Sequence, residues 1–456
     1  MPELVFDTIE EFIFAPFNTF IYLDTDEILF RGLRQQQWKL VEELNKEHIL
    51  EDIPEFSIKW GLEDSSEFKL SKGVFTPPGT DNSFVVAELI YTDTDECCHP
   101  IWEQVSEKFS IDKLIFKDVR FYFTDVGVAT CSVRVEMEDE DGITILELEE
   151  ASERLNVLFK EYFEEFSFKL AKKYIECINR LDIPYHRFSF LPDIEEVDRG
   201  THFIPWTHRI YHIPADRMFD MENPGEHFRT LLTPSSKMDI EDLSIYDNRY
   251  VYFGWGHSII FTSSEEDGYS QTSRPVYDYV RLVEIAQAKW QFLDVLKDVI
   301  KYALSSFNRH YEHMELDDIQ EAIAEVRSFT NGINRILADY RGIKITFDTE
   351  KRILLRELHS RWLTDNLLDG LVEDLKSIEE LLDQLYQRQK EQREESLNTI
   401  ALLFTIVGII EIIALVIEIF NPVFEINPFV ELGLIGLGTI SMAIIISLYL
   451  RYASRG

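Results

Sequence analysis

The segment at residues 399–420 reads TIALLFTIVGIIEIIALVIEIF, and every side chain in it except Glu411 and Glu418 is apolar, small or hydroxylic. A helix of this length reaches about 33 Å, which spans the roughly 30 Å hydrocarbon core of a membrane. A second apolar run at residues 429–450 follows the turn 421–428, which holds two prolines. The pattern predicts two transmembrane helices that form a hairpin at the carboxyl-terminal end of the sequence.

Basic residues on both sides of the hairpin predict its orientation. Three of them lie between residues 388 and 393, and two more lie in the tail at 451–456. The turn between the apolar runs contains Glu425 and neither lysine nor arginine. Because basic flanks stay in the cytoplasm, we expect a multi-pass protein of the cell inner membrane. Its amino and carboxyl termini and the tail are then cytoplasmic, and the turn is extracytoplasmic.

The overall charge limits the partners of the remaining residues. Aspartate and glutamate outnumber lysine and arginine by 83 to 45, which gives a net charge of −38. Direct binding of nucleic acid requires a basic surface, so we expect none. The four cysteines lie in the part predicted to be cytosolic, where disulfides are rare.

Residues 1–275 predict an α/β cytosolic domain. Residues 83–91 have strand character and residues 99–109 have helix character. Alternating apolar residues on both sides of Asp125-Val126-Gly127 predict a β-hairpin. The EDEDG segment at 138–142 predicts a turn, and the ITILELEE segment after it predicts a third strand. The apolar spacing within 151–181 predicts an amphipathic helix.

Residues 276–398 predict a helical bundle that ends in a long stalk helix. The pattern favours helices at 276–307, 315–341 and 348–397, and the aromatic stretch before them, 249–262, favours strand structure. Leu371, Leu375, Ile378, Leu382 and Leu385 alternate at spacings of four and three, which is a heptad seam. The stalk would continue directly into the first membrane helix, and the alternative is an ordinary helical-hairpin core.

This architecture resembles the CorA family of divalent-cation channels. Asn398 and Thr405 have the family's spacing at the point where the stalk enters the membrane, and Phe424-Glu425 matches the pair after its signature. Asn421-Pro422-Val423 replaces the Gly-Met-Asn signature itself. The resemblance implies a homopentamer with the first membrane helix around the pore. It also implies divalent cations, magnesium among them, as permeant or regulatory ions, and no other cofactor.

The chain is also similar to divergent CorA-like effectors found beside type III CRISPR systems. That similarity implies a role in antiviral defence and a nucleotide-type second messenger that acts on the cytosolic domain. The candidate ligand contacts are aromatic or basic side chains, namely Tyr252, Trp255, His257 and Arg209. The alternative is that the aromatic ones are core residues of a strand, and the sequence carries no glycine-rich phosphate motif.

The glutamates of the first apolar segment predict a pore lining. Glu411 and Glu418 are seven residues apart and therefore share one helix face. The predicted pore-lining residues are Gly408, Glu411, Leu415, Glu418 and Asn421, with Glu425 at the mouth. In a homo-oligomer each glutamate forms a ring of carboxylates, and such rings pass cations. There is an alternative for each glutamate. Glu418 would reach the water at the outer membrane interface, and Glu411 would form a hydrogen bond with Thr439 or Ser441 of a second membrane helix. Glu425 would be solvated in the turn.

Other clusters assign neither a metal nor a catalytic site. Among His202, His208 and His212 only the last pair has helical spacing, and prolines interrupt the segment. Cys97-Cys98-His99 lacks a second ligand pair. The sequence contains no nucleophile motif and no paired-carboxylate motif, so we do not expect an enzyme. Three hypotheses remain: a ligand-gated cation channel, a housekeeping magnesium transporter gated by its ion, and a non-conducting membrane-anchored scaffold.

Overall fold

A computed structural model gives the fold over most of the chain. It describes residues 4–46, 56–63, 83–91, 113–186, 206–232, 239–245, 247–263, 275–311, 323–334 except 325 and 329, 349–424, Gly433 and Gly436. The chain divides into two compact units. The first comprises Met1–Arg309 and Phe329–Ser377, and the second His310–Ser328 and Ile378–Gly456. The domain boundaries predicted from the sequence stay predictions.

The first unit is built on one mixed sheet. Its strands are β1 Val5–Leu23, β2 Phe56–Gly61, β3 Val85–Tyr91, β4 Lys113–Phe123, β5 Val126–Thr144, β6 Tyr185–His186, β7 His208–Pro214, β8 Arg249–Phe253 and β9 His257–Thr262. Their order is β2-β3-β4-β5-β1-β7-β9-β8, and β6 pairs with β1. The β7–β9 pair is parallel, and the other described pairs are antiparallel.

Helices cover both faces of the sheet. The longer helices are α1 Thr25–Arg31, α2 Leu33–Leu44, α3 Ile145–Arg180, α4 Pro275–Tyr311, α5 Thr349–Arg361 and α6 Thr364–Phe424, and a four-residue helix lies at Arg229–Leu232. Alternate residues of a strand point to opposite faces. Ile13 and Phe17 of β1 therefore join one core with side chains of α2 and α3, whereas Phe12 and Phe14 join another with side chains of α4 and α5. The predicted mixed α/β class is confirmed.

The start of α3 corrects the predicted third strand at ITILELEE. Glu147 N donates to Thr144 Oγ1 at 3.2 Å, and Thr144 N donates to Glu147 Oε2 at 2.9 Å. This capping box starts a helix at Ile145. The preceding EDEDG segment lies inside β5 at a register shift against β1, where Gly142 has φ of 81°. It is therefore a bulge in a long strand, and the helix predicted at 151–181 begins six residues earlier.

Most of the other predicted elements described by the structure are confirmed. Residues 83–91 contain β3, and β4 and β5 form the predicted hairpin. Gly127 at its turn has φ of 80°, and a Cβ there would lie 3.0 Å from the Tyr22 ring. The aromatic stretch 249–262 forms two strands, β8 and β9. The helix predicted at 99–109 lies outside the described residues.

The predicted stalk is confirmed as one long helix, α6, of 61 residues. It begins at Thr364 and not at 348, because Leu363 has φ of 53° and separates it from α5. Leu371, Leu375, Ile378 and Leu385 of the predicted seam are buried, but Leu381 is buried in place of Leu382. In the second unit, the Arg327 guanidinium lies 5.8 Å from the Tyr386 ring centroid.

Candidate functional site

Large apolar side chains surround a carboxylate near the carboxyl-terminal end of α6. The exposed ones are Leu397, Ile400, Leu403, Phe404, Val407, Ile412 and Leu415. Glu411 lies among them and is exposed as well. Contiguous exposed apolar surface of this kind is typical of a face that lipid or another protein covers.

The predicted pore-lining residues follow one side of this helix. Gly408, Glu411 and Leu415 are separated by three and four residues within α6, so they share a face. Glu418 and Asn421 also belong to α6, but the structure does not describe their side chains. Glu425 lies outside the described residues. We call Gly408, Glu411, Leu415, Glu418 and Asn421 the acid stripe.

Among the residues that the structure describes, no helix has an apolar stretch long enough to cross a membrane. The second apolar run, 429–450, lies outside the described residues apart from Gly433 and Gly436. The two membrane helices therefore stay a prediction.

The four candidate ligand contacts do not form one pocket. Arg209 and His257 are register neighbours across the parallel β7–β9 pair. Tyr252 is buried in the core, where it pairs with Ile259. Trp255 is 58% exposed in the turn between β8 and β9. The structure thus brings Arg209 and His257 together, and of the four residues it leaves Trp255 open to solvent.

Arg209 belongs to a buried polar network that joins β1, β7 and α3. Its Nη1 donates to Ser152 Oγ at 2.9 Å, and its Nη2 donates to Glu153 Oε2 at 3.0 Å. The Ser152 hydroxyl donates in turn to Glu11 Oε1 and lies 2.7 Å from the Tyr211 hydroxyl. Ser152 has one proton to donate, so Tyr211 is the donor to Ser152.

Burial controls protonation in this network. It raises the pKa of Glu11 to about 7, although the Arg209 guanidinium and the Ser152 hydroxyl oppose the shift. Burial, with the Arg209 charge, lowers the pKa of His257 to about 3. The network therefore holds a carboxyl that changes charge near neutral pH, and His257, the register neighbour of Arg209, stays a neutral imidazole there. No local motif connects Glu11, Ser152 and Tyr211, because they lie far apart in the chain, so the sequence did not reveal them as members of one network.

Two of the three histidines considered as metal ligands, His208 and His212, make hydrogen bonds to side chains of neighbouring strands. His208 Nε2 lies 2.9 Å from Ser258 Oγ. His212 bonds to Glu10 Oε2 at 2.7 Å and to Thr262 Oγ1 at 2.8 Å. In the described part of the chain, no group of three side chains is arranged to hold a metal ion. His202 and Cys97-Cys98-His99 lie outside it.

The chain has a distant structural likeness to a known protein. No family model matches the sequence, and no curated protein matches it. Among solved structures, the CorA magnesium transporter from Methanocaldococcus jannaschii is similar with a TM-score of 0.22 and 12% identity. The match covers 60% of this chain and 94% of that one. At this TM-score the likeness adds nothing to what the residues themselves indicate.

Proposed function

We propose that several copies of this chain form a cation channel in the cell inner membrane, with the acid stripe facing a shared aqueous axis. The observation that carries the proposal is the position of Glu411. It lies on a single helix, α6, among exposed large apolar side chains. Apolar side chains of this kind are stable in contact with lipid, whereas a carboxylate is not.

The energetics favour an inward position for the carboxylate. An acidic group that faces lipid at the centre of a membrane costs roughly 2.5–3.5 kcal/mol by insertion scales. A water-filled axis removes most of this cost. A ring of carboxylates around that axis attracts cations and repels anions. A purely anchoring helix gains nothing from such a residue, which favours a channel over a non-conducting scaffold.

Finer features of the proposal rest on the sequence resemblance. These are five copies, divalent cations such as magnesium among the permeant ions, and gating by a nucleotide-type ligand on the cytosolic part in antiviral defence. Trp255 is the exposed aromatic side chain among the four candidate ligand contacts. A helix that continues from the cytosolic part into the apolar segment would carry a displacement from one to the other. The alternative, gating by the transported ion itself, is distinguished by current in the absence of any nucleotide.

Replacing Glu411 with glutamine tests the pore lining. We expect wild-type protein in planar bilayers under a KCl gradient to pass cations in preference to anions. Glu411→Gln removes the ring of charge and should reduce the ratio of cation to anion permeability about tenfold, which corresponds to about 1.4 kcal/mol. The reversal potential measures this ratio directly.

Glu395→Gln is the matched control, because Glu395 is an exposed glutamate on the polar part of the same helix. We expect its reversal potential to equal that of the wild type. An unchanged reversal potential for Glu411→Gln would show that Glu411 does not line the pore. Absence of any current from wild-type protein, with and without nucleotide, would favour the scaffold.

A further inference from the structure

An exposed helical hairpin that combines apolar and basic side chains is formed by α1 and α2. Gly32 joins the two helices, and its φ of 93° lies in the left-handed region that glycine favours. Leu29 and Phe30 before this turn are 59% and 90% exposed, and Trp38 on α2 is 47% exposed. Residues 28–39 contain three basic residues and no acidic one, in a chain whose net charge is −38. We call residues 28–39 the basic hairpin.

An exposed surface of opposite charge lies on the amino-terminal half of α3. Leu146, Glu149, Glu153 and Val157 follow one another at spacings of three, four and four residues, so they share a helix face. Leu146 and Val157 are 63% and 52% exposed, and both glutamates are exposed as well. Residues 145–157 contain four acidic residues and one basic residue. We call the four exposed residues the α3 face.

The basic hairpin and the α3 face lie towards opposite ends of α3. Arg31 Nη1 donates to Asp182 O at 3.1 Å, so the hairpin lies beside the carboxyl-terminal end of α3 at Arg180. A helix rises 1.5 Å per residue, so Val157 lies about 35 Å and Leu146 about 50 Å from Arg180 along the helix axis. The two surfaces therefore cannot cover each other within one copy, whereas two copies arranged head to tail bring them together.

The chemistry of the two surfaces favours a second copy of the chain as the partner. Opposite charges on the basic hairpin and the α3 face attract each other and fix the orientation of the two copies. Both surfaces also expose large apolar side chains, and these side chains leave water when the surfaces meet. An anionic membrane would attract the basic hairpin too, but the net charge of −38 on the whole chain opposes its approach to such a membrane.

We propose that the basic hairpin of one copy docks on the α3 face of the next copy. Phe30 packs against Val157 of the next copy, and the basic side chains of the hairpin face its Glu149. A head-to-tail contact of this kind produces a ring when the rotation between copies closes, and a pore on a shared axis requires a ring. The proposal rests on the proposed function only for the presence of several copies.

Cysteine cross-linking of the full-length protein in detergent tests this contact. The background carries Cys97→Ser and Cys98→Ser, and the other two cysteines are buried. A chain that also carries Phe30→Cys and Val157→Cys should give a ladder of covalent multimers when copper phenanthroline oxidises the thiols. The two positions lie too far apart for a disulfide within one copy, so each link joins two copies.

Ile245→Cys in place of Val157→Cys is the matched control. Ile245 is 51% exposed, which is nearly the exposure of Val157, and it lies outside both surfaces. We expect no ladder from Phe30→Cys combined with Ile245→Cys, and none from Phe30→Cys alone.

Charge reversal gives a second readout of the same contact. Arg34 and Lys39 are exposed on the basic hairpin. Arg34→Glu with Lys39→Glu in the cross-linking chain should lower the yield of the ladder about tenfold, because like charges then face each other across the contact. Adding Glu149→Lys should restore the yield, which a merely structural effect of the hairpin substitutions would not do.

The other outcomes contradict the proposal. Dimers from Phe30→Cys alone would show that two hairpins face each other. Absence of the ladder from protein that light scattering shows to be oligomeric would overturn this contact and leave the channel proposal standing, whereas a ladder from protein that passes no current would do the reverse. Brominated anionic lipid that quenches bimane attached to the Phe30→Cys variant would place the hairpin on a membrane instead.

Discussion

Replacing Arg281 with methionine is expected to lower the free energy of unfolding by about 3–5 kcal/mol, the usual loss when one partner of a buried ion pair is removed. Arg281 lies on α4 and is 9% exposed. Its Nε and Nη2 donate to the two oxygens of Glu63 at 2.7 and 2.8 Å, and its Nη1 donates to Glu284 at 3.0 Å. Methionine fills much of the volume but leaves two carboxyl groups without their cation.

The Glu284 side chain makes this loss large, because it is fully buried. Burial raises the pKa of its carboxyl, and the Arg281 guanidinium opposes that shift. Without Arg281, Glu284 must either take up a proton or remain as an uncompensated buried charge. Both outcomes cost free energy in the folded state and not in the unfolded chain.

Denaturant unfolding of the wild type and the variant, followed by tryptophan fluorescence, measures the difference. The matched control is Arg31→Met, which removes a solvent-exposed pair with Glu27 at 2.9 Å. Exposed pairs contribute about 0–1 kcal/mol, so we expect a small loss there. Equal losses in the two variants would show that the Arg281 pair is not buried as described.

Replacing Glu11 with glutamine is expected to stabilise the protein increasingly as the pH rises from 4 to 8. Burial raises the pKa of Glu11 from 4.5 to about 7, since one of its oxygens, Oε2, has no partner in the described residues. A raised folded-state pKa means that the folded protein binds the proton more tightly than the unfolded chain. The stability from that proton is present below pH 4.5 and is lost as the pH rises through 7. The distance between the two pKa values corresponds to about 3 kcal/mol.

Glutamine does not titrate, so the variant lacks this loss. The difference in unfolding free energy between variant and wild type should therefore grow by about 3 kcal/mol between pH 4 and pH 8. Other groups with shifted pKa values, such as Glu10 at about 2 and His208 at about 3, are present in both proteins. Their contributions to the pH dependence of the unfolding free energy therefore cancel in the difference. Denaturant unfolding at each pH gives the difference.

Glu150→Gln is the control for this series, because Glu150 is an exposed glutamate of α3. We expect only a small change in the free energy of unfolding for this variant. A difference for Glu11→Gln that stays constant with pH would show that folding does not raise the pKa of Glu11.

The sequence predicted the elements whose pattern is local. The β4–β5 hairpin follows from alternating residues on both sides of Gly127, and both α3 and α6 follow from helical spacing. The third strand at ITILELEE was wrong because the Thr144–Glu147 capping box outweighs strand propensity there. Leu381 is buried in place of Leu382. The spacing within one helix does not show which of its residues the neighbouring elements cover.

Long-range pairing was beyond sequence analysis. The central strand β1 lies between β5 and β7, and its pairing with Tyr211 and the contact of Glu11 with Ser152 join residues far apart in the chain. The register of β4 on β5 sets Arg120 directly across from Ser132. A shift of one residue would turn these side chains to the other face. Arg209 and His257 were predicted as separate candidate ligand contacts, and the strand pairing that sets them side by side was not predicted. The structure places Tyr252 in the core.

A single-particle electron microscopy reconstruction of the detergent-solubilised protein is the most direct measurement of the direction of the Glu411 side chain. We expect several copies, five by resemblance, around a central axis, with the carboxylates of Glu411 directed towards that axis. A single copy without an axis, or Glu411 side chains directed at the detergent, would contradict a conducting pore and leave a tethered cytosolic domain.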